Sequence, residues 1–295
     1  MLDRESTFKN PEVVQLLKDN FIPIAIDQAY QRRQKDNEGS FYQKIANQGP
    51  RKVGEGTTQG LYIADGSGKL LGFSNNRGAE RVINMMRKAM KEPRTTDFGK
   101  IIKGKSDPRY NPKPPKGGLV IRVTTKVLDG YEKTENTYRK IMHRSLGRDN
   151  FWVTVSEKKE LINGKLPDTF LHRLVRFHLV DNTRGEPTMW RPSDIRTIKG
   201  NLENGQLSAK VVLRNDQGDR GYETQILGMI KTEGGEITDF DAVAKGQYWG
   251  EGKYTRNAPK GRFPLAVAFK LADGKDIADS IPPQGSRGWV QGYIN

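Results

Sequence analysis

Apolar residues in the first third of the chain alternate between the spacing of helices and the spacing of strands. Pro11–Asn20 carries several apolar residues on one helical face. Asn10 is its predicted N-cap, because Asn side chains accept hydrogen bonds from the free N–H groups at a helix start. The continuous apolar run Phe21–Ile26 then predicts a short buried strand that ends at Asp27.

A β-hairpin and a further helix complete this first pattern. Two short apolar runs, Gly60–Ala64 and Lys69–Phe73, flank the turn sequence Asp65–Gly68, whose Asp and Gly residues suit a hairpin. Apolar residues then recur at helical spacing through Arg77–Lys91. The order helix, strand, helix, hairpin, helix predicts an α/β domain at residues 1–91.

Most of the second half of the chain has the pattern of strands. Leu119–Val123 and Phe151–Val155 are rich in the β-branched and aromatic residues that strands favour. Further strand patterns, separated by turns rich in Asn, Asp and Gly, occupy residues 206–213, 222–230, 236–244 and 262–271. Pro167–Val180 has helical spacing instead. Short strands at even spacing predict a mainly antiparallel sandwich or barrel-like domain at residues 119–295, so the chain is assigned to the α+β class.

Proline and glycine residues interrupt regular structure between these two patterns, so residues 92–118 are predicted to be a linker. The chain of 295 residues has 50 Lys and Arg against 35 Asp and Glu, a formal charge of +15. Residues 101–150 hold 12 basic and 5 acidic residues, so the excess is concentrated around the linker. The basic residues that could contact a polyanion are Lys103, Lys105, Arg109, Lys113 and Lys116. A solvated linker explains the same charges, and Tyr110 alone is too few aromatic residues for base stacking.

Three segments of the first third, Met1–Phe8, Pro11–Val14 and Asn20–Asp27, resemble the thioredoxin-like domain family, which includes bacterial thiol-disulfide proteins and the spermatogenesis-associated group. In that family a strand and a Cys-x-x-Cys turn precede the segment with which this chain begins, and a cis-proline precedes the hairpin strand. Here the chain has no Cys, and Thr57–Gly60 precedes the hairpin. The resemblance therefore implies a thioredoxin-like fold without its redox centre, because thiol-disulfide exchange requires a thiolate and a disulfide sulfur.

The resemblance begins after the family's first strand, which leaves open a trimmed precursor or a fragment. A first strand with Cys or selenocysteine in a longer precursor would make this chain the remainder of a redox protein. The second half of the chain is similar to the C-terminal halves of uncharacterised bacterial proteins with a thioredoxin-like front.

The densest group of polar residues accompanies the predicted helix of the second half and the turn after it. Its candidate site residues are Arg176, His178, Asp181, Arg184 and Glu186. A His beside carboxylates can transfer protons, and paired Arg side chains can hold an anion. The same residues suit a turn pinned by contacts between Arg and carboxylates. The spacing of His143, His172 and His178 is unlike that of known metal-binding motifs, so no metal site is predicted.

Two loops are candidate binding sites for a protein or carbohydrate partner. The first precedes the hairpin and comprises Thr57, Thr58 and Gln59. The second lies in a Gly-rich segment and offers, as stacking surfaces, the aromatic residues Tyr248, Trp249 and Tyr254. A solvated connection explains the first loop without a ligand, and ordinary core packing explains the second.

These observations favour a non-catalytic binding or scaffolding protein, built on a redox-inactive thioredoxin-like domain and associated with the cell envelope. The alternatives are an enzyme with its site in the C-terminal β domain, and polyanion or nucleic-acid binding through the linker. P-loop, dinucleotide-binding and Gly-x-Ser-x-Gly motifs do not occur in a suitable setting, so no cofactor and no catalytic residue is predicted. No apolar run reaches the roughly 20 residues of a membrane-spanning helix. No leader is visible, so a periplasmic or secreted location requires a signal peptide that has already been removed.

Overall fold

A computed structural model of the chain describes residues 2–76, 78–93, 95 and 109–295. The described residues form two compact units, Asp3–Pro112 and Lys113–Asn295, and each unit has its own sheet. The division falls inside the predicted linker at residues 92–118, of which residues 94 and 96–108 lie outside the described part. Helices and strands are both present, in agreement with the α+β class.

The first unit combines short helices with one hairpin. The helices in this part of the chain are α1 (Leu2–Ser6), α2 (Pro11–Asn20), α3 (Gln28–Gln31), α4 (Asn37–Ala46) and α5 (Ala79–Lys91). The hairpin pairs β1 (Leu61–Ala64) with β2 (Leu70–Ser74). Apolar residues of α2 and α5 form a small buried cluster against β1, made of Val13, Val82, Ile83 and Met86.

Local signals predicted the ends of these elements correctly. Asn10 Oδ1 accepts hydrogen bonds from the backbone N–H groups of Glu12 (2.9 Å) and Val13 (3.2 Å), so Asn10 caps α2 as predicted. In the hairpin turn, Asp65 Oδ1 accepts from the backbone N–H of Ser67 at 3.0 Å and from its hydroxyl at 2.6 Å. All four hydrogen bonds join residues close in sequence, which is why the sequence alone predicts the cap and the turn.

The predicted strand Phe21–Ile26 is wrong. These residues follow α2 without regular structure, and the side chains of Ile22 and Ile24 are 89% and 75% exposed. A buried strand needs neighbouring strands to bond its N–H and C=O groups, but among the described residues β1 pairs only with β2. An apolar run shows only that its residues suit a strand. Whether a neighbouring strand is available to pair with it depends on the rest of the fold.

The second unit is built on one antiparallel sheet of seven strands. Its strands are β3 (Leu119–Val127), β4 (Gly147–Val153), β5 (Ile195–Glu203), β6 (Gln206–Arg214), β7 (Gly221–Glu233), β8 (Glu236–Trp249) and β9 (Arg262–Leu271). They lie side by side in the order β4-β3-β9-β8-β7-β6-β5. Its helices are α6 (Thr137–Arg144), α7 (Val155–Ile162), α8 (Asp168–His178) and α9 (Val290–Ile294). The antiparallel strands are confirmed, and a single open sheet takes the place of the predicted sandwich or barrel.

Two local predictions in this unit need correction, although the predicted helix within Pro167–Val180 is confirmed as α8. The predicted strand Phe151–Val155 is β4, which begins earlier, at Gly147, and ends at Val153, because Thr154 caps α7 in a reciprocal capping box with Glu157. The backbone N–H of Thr154 donates to Glu157 Oε2 at 2.9 Å, and that of Glu157 donates to Thr154 Oγ1 at 3.3 Å. Strand β5 is missing from the prediction, because its exposed edge position gives it few apolar residues.

The two faces of the seven-stranded sheet differ. One face packs against α8, where Phe170 lies 6.0 Å from the ring of Phe240 on β8. Gly200 on β5 marks a close approach of this helix, because a Cβ there would lie 2.7 Å from Leu171 Cδ2. The other face, here called the open face, consists of the alternate residues of β5 to β9 that point away from α8. The core of the unit therefore lies on one side of the sheet.

Candidate functional site

The predicted polar cluster does not form one site, because its members belong to separate networks. His178, at the end of α8, is 1% exposed, and its Nε2 atom lies 2.8 Å from the hydroxyl of Tyr293. Its Nδ1 atom lies 3.2 Å from Asp149 Oδ2, an ion-pair distance without hydrogen-bond geometry. Burial raises the pKa of Tyr293 well above its ordinary value, so this hydroxyl keeps its proton. The arrangement connects α8 with α9 and is closed to solvent.

Asp181 and Arg184 belong to a second buried network. Arg184 Nη2 donates to Asp181 Oδ2 at 2.5 Å, and Nη1 donates to the hydroxyl of Tyr131 at 2.6 Å. Arg184 also donates to the carbonyl oxygen of Thr255, from Nε at 3.2 Å and from Nη2 at 3.1 Å. Burial alone would lower the pKa of Arg184, but Asp181 and Tyr131 outweigh burial and raise it. These bonds hold the turn after α8 against the loop between β8 and β9.

A third buried network contains Glu157, which the sequence analysis missed. Arg173 Nε donates to Glu157 Oε1 at 3.2 Å, a second bond joins Arg173 Nη2 to Glu157 Oε2, and Nη1 donates to the carbonyl oxygen of Trp152 at 2.9 Å. Both charged side chains are buried. The capping-box spacing from Thr154 to Glu157 was a usable signal, but the partner Arg173 comes from a different helix.

Arg176 and Glu186 belong to none of the three buried networks described above. Arg176 is half-buried: its Nε donates to the carbonyl oxygen of Trp190 at 3.4 Å, and its guanidinium lies 4.8 Å from the ring centre of Phe177. Burial lowers the pKa of Arg176 from its ordinary value. Glu186 lies near the surface and pairs with Arg287 at 3.1 Å. The five predicted residues are therefore divided among separate structural contacts.

The three candidate aromatic residues of the second loop do not share a surface. Tyr248 is buried on the core face, with ring centres of Tyr222 and Phe263 both at 5.5 Å, and burial raises its pKa to about 12. Trp249 is the next residue along β8 and therefore lies on the open face. Tyr254 is 60% exposed in the loop after β8. This placement matches ordinary core packing for Tyr248.

The first loop is held by hydrogen bonds within its own unit. Thr58 is buried: its hydroxyl accepts from Tyr42 at 2.7 Å and donates to Gln28 Oε1 at 3.1 Å. Thr57 and Gln59 are exposed on either side of it. Thr58 therefore fixes the chain before β1, and its neighbours are the accessible residues of this loop.

The basic linker residues are placed only in part. Lys103 and Lys105 lie outside the described residues. Arg109 is exposed, with its guanidinium 5.5 Å from the ring centre of Tyr110, and Lys113 and Lys116 are also exposed. Polyanion binding by this segment stays a prediction.

Two cavities in the described part of the chain are lined by residues other than the predicted site residues. A cavity of about 370 Å³ in the first unit is lined by Arg51, Ser74, Asn75, Arg81 and their neighbours. A cavity of about 280 Å³ in the second unit is lined by Thr188, Asp194, Arg220, Glu251 and their neighbours. Neither cavity reaches the buried histidine or the Asp181–Arg184 pair, so neither gives a substrate access to them.

The open face carries a row of three lysines that the sequence analysis did not find. Lys199 on β5 lies directly opposite Lys210 on β6. The register continues from Lys210 to Gln225 on β7 and then to Lys245 on β8. All three lysines are exposed. We call Lys199, Lys210 and Lys245 the lysine row; it depends on strand register, which the sequence does not show.

A small apolar surface lies beside the lysine row. Leu227 on β7 is 63% exposed and lies directly opposite Val243 on β8, which is 41% exposed. Met229, two residues further along β7, is 38% exposed. We call Leu227, Val243 and Met229 the apolar strip. Gln225 and Lys245 are two residues from Leu227 and Val243, so the strip is the next row of side chains on the same face.

Other charges on the open face have partners. Arg262 makes two hydrogen bonds to the Glu223 carboxylate, at 2.8 and 2.9 Å. Lys270 pairs with Asp241 at 3.2 Å. The Arg262 bonds are the main cause of the lowered pKa of Glu223, to which Arg214 and Lys210 add. The open face therefore has fixed ion pairs at some positions and surplus lysines at others.

The described residues include no group of three or more His, Cys, Asp or Glu side chains arranged to hold a metal ion. Within the same part of the chain, no helix combines the length and the apolar character needed to cross a membrane.

No protein-family model matches this sequence, no curated protein matches it, and no solved structure matches its fold.

Proposed function

We propose that this chain is a non-catalytic binding or scaffolding protein, and that the open face of the second unit is its main binding surface. The proposal includes a first unit that is a redox-inactive thioredoxin-like domain and serves as a further platform for a protein partner. It is supported by what the polar residues contact and by which apolar residues remain exposed.

One observation carries the proposal: the titratable residues that best suited catalysis are buried and bonded to one another. His178 is almost inaccessible, and Asp181 and Arg184 neutralise each other. A general acid or base has to lie within hydrogen-bond reach of the proton it transfers on a substrate. The open face offers the opposite situation, because Leu227 and Val243 are exposed on a rigid sheet and adjoin unpaired lysines.

The order of elements supports the assignment of the first unit. Helix α2, the hairpin β1–β2 and helix α5 follow one another as the resemblance implies, and they share one small core. The absence of Cys removes dithiol chemistry from this chain. The unit departs from the implied fold at Phe21–Ile26, which forms neither a helix nor a strand.

Site-specific photo-crosslinking in cells that produce the chain tests the binding proposal. A photoreactive amino acid at Leu227 reports on the open face, and one at Val155, which is also exposed but lies on helix α7, is the matched control. We expect a discrete crosslinked product from the Leu227 position and none from the control. No product at Leu227, or equal products at both positions, would contradict the proposal.

The enzyme alternative has a separate test. Tyr293→Phe removes the hydroxyl that contacts His178 and keeps the buried ring. We expect this variant to bind its partner as the parent chain does. A catalytic activity that this substitution abolishes at unchanged melting temperature would favour an enzyme instead.

A further inference from the structure

The proposed function does not specify the chemical class of the partner. The residues of the open face indicate which class fits. We infer that this face binds an acidic amphipathic segment of a partner protein, with carboxylates on the lysine row and aliphatic side chains on the apolar strip. The inference rests on the proposed function and adds the chemistry of the partner.

The lysine row is an arrangement that the fold by itself does not favour. Lys199 and Lys210 lie directly opposite each other on neighbouring antiparallel strands, where like charges are destabilising. Lys245 is two strands beyond Lys210, about 10 Å away at the usual strand spacing. No described carboxylate lies within ion-pair distance of any of the three, although Arg262 and Lys270 on the same face each have one. Lys210 acts on the Glu223 carboxylate without a direct ion pair, and bound carboxylates would give all three lysines direct partners.

The apolar strip gives the ligand a second property. Leu227 and Val243 form a directly opposed pair in the next row of the same face, and Met229 extends it along β7. Exposed apolar side chains grouped together, with charged neighbours, are typical of interaction surfaces. A ligand that matches both rows must carry anionic and aliphatic groups a few ångströms apart. In an extended segment whose acidic and aliphatic residues alternate, the acidic side chains project to one side and the aliphatic side chains to the other. Such a segment, lying between the two rows, places its carboxylates on the lysine row and its aliphatic side chains on the apolar strip.

The same residues argue against a nucleic acid. Single-stranded nucleic acids bind to proteins through aromatic side chains on which the bases stack. Trp249 is the aromatic residue on the exposed part of this face, and the guanidinium of Arg262 covers its ring at 4.1 Å from the ring centre. The indole N–H of Trp249 donates to the carbonyl oxygen of Gly218 at 2.9 Å. Aliphatic residues next to the lysines suit side chains of a protein better than bases.

A bilayer surface is also a poorer match. The apolar strip has only three side chains, whereas helices that lie on membranes insert a long apolar face. Sheets are twisted, so a seven-stranded face presents its two ends at different angles. A flat anionic surface would therefore contact only part of the lysine row and the apolar strip together.

The test measures binding of the full chain to a fluorescein-labelled peptide of about twelve residues in which Glu alternates with Leu or Val. The row variant is Lys199→Gln/Lys210→Gln/Lys245→Gln. The control variant is Lys159→Gln/Lys165→Gln/Lys275→Gln, which removes three exposed lysines outside the sheet strands. The two variants have the same net charge, so a general charge effect would change both equally.

We expect the row variant to bind the peptide at least about tenfold more weakly and the control variant to stay within about twofold of the parent chain. Leu227→Ser/Val243→Ser should also weaken binding about tenfold, and this loss should persist at high salt. The row variant should melt at a slightly higher temperature than the parent, because the opposed lysines no longer repel each other. A merely structural role for these lysines would lower the melting temperature instead.

The contradicting outcomes separate the two proposals. Equal losses in the row and control variants, or no binding of the peptide by the parent chain, would overturn the acidic-segment inference. Displacement of the peptide by oligothymidylate would indicate a nucleic-acid ligand instead. Tighter binding to phosphatidylglycerol vesicles through the same lysines would indicate a membrane surface. Either result would overturn the acidic-segment inference but keep the open face as the binding surface. Absence of a crosslink from the Leu227 position would overturn the binding proposal itself.

Discussion

The two units of this chain differ in how completely they bury their apolar residues. In the second unit, alternate residues of a seven-stranded sheet are inaccessible, among them Val211, Ile226 and Val267. In the first unit the strands of the hairpin are only half-buried at most positions. A two-stranded hairpin has too little area to enclose a core by itself, whereas a wide sheet with a helix on one face does enclose one. Burial therefore depends on how many strands assemble, and local sequence does not determine that number.

The comparison also separates two kinds of exposed apolar residue. Leu227 and Val243 are exposed although their backbone is fully paired within the sheet. Ile22 and Ile24 are exposed in a segment without strand pairing. The first pair is a fixed surface suited to specific recognition. The second pair is suited to unspecific association, because unpaired β-prone segments readily add to other chains.

The largest expected effect comes from a buried ion pair in the second unit. Arg173→Met leaves Glu157 buried without its countercharge, so we expect a loss of about 3–5 kcal/mol in the free energy of unfolding. Arg87→Met in the first unit breaks the exposed pair with Glu12 and should cost less than about 1 kcal/mol. Denaturant titration measures both. Similar losses in the free energy of unfolding for the two variants would mean that burial does not determine how much an ion pair contributes.

The next largest effect is a loss of stability at alkaline pH. Burial raises the pKa of Tyr248 to about 12 in the folded chain, so above pH 10 the unfolded state releases a proton that the folded state retains. The contribution of Tyr248 to stability should therefore be fully present below pH 10 and fall by about 1.4 kcal/mol per pH unit up to about pH 12.

The matched comparison is Tyr62 in the first unit, whose pKa is also raised to about 12, mainly by burial. Tyr62 is only half-buried, so its contribution should be smaller. Tyrosinate absorbance and unfolding curves at several pH values test both residues. An unchanged pH slope in Tyr248→Phe would show that another group is responsible.

A smaller effect is expected from helix caps, which the two units share. Asn10→Ala removes the cap of α2, and Asn136→Ala removes the cap of α6, where Asn136 Oδ1 accepts from the N–H of Arg139 at 3.0 Å. Each substitution should cost about 1 kcal/mol in its own unit, because the bond is local in both. Thermal unfolding followed by a probe in each unit would measure this. A cost in only one unit would show that caps depend on the surrounding core.

The smallest expected effect tests the corrected strand. Ile22→Ser/Ile24→Ser should change the free energy of unfolding by less than about 0.5 kcal/mol, because both side chains are already exposed. The variant should also remain soluble at higher concentration. Val82→Ser, at a buried position of the same unit, is the destabilising control. A large loss in the double variant would mean that the segment is buried after all.

Local chemistry made much of the fold predictable. Asn10 predicts the start of α2, and Asp65 and Gly68 predict the hairpin turn. The apolar spacing around Phe170 predicts α8. Each signal involves residues within a few positions of one another. The run Phe21–Ile26 failed because a strand also needs a distant neighbour.

For the candidate sites, the sequence predicted which residue types are present but not which of them are in contact. His178 contacts Asp149 and Tyr293, which are far from it in sequence, so its environment depends on tertiary packing. The lysine row could not be found either, because Lys199, Lys210 and Lys245 come from three strands and meet only through their register. Sequence spacing indicates which residue types are present, and the folded chain decides which of them meet.

Strand β5 forms one border of the large sheet, and no described strand pairs with its outer side. Such a border can recruit another copy edge to edge and so start a fibril, and charged side chains are a common protection against this growth. The exposed charge of Lys199 on this border is therefore placed to resist such growth. Its loss would leave the chain more prone to assemble with itself.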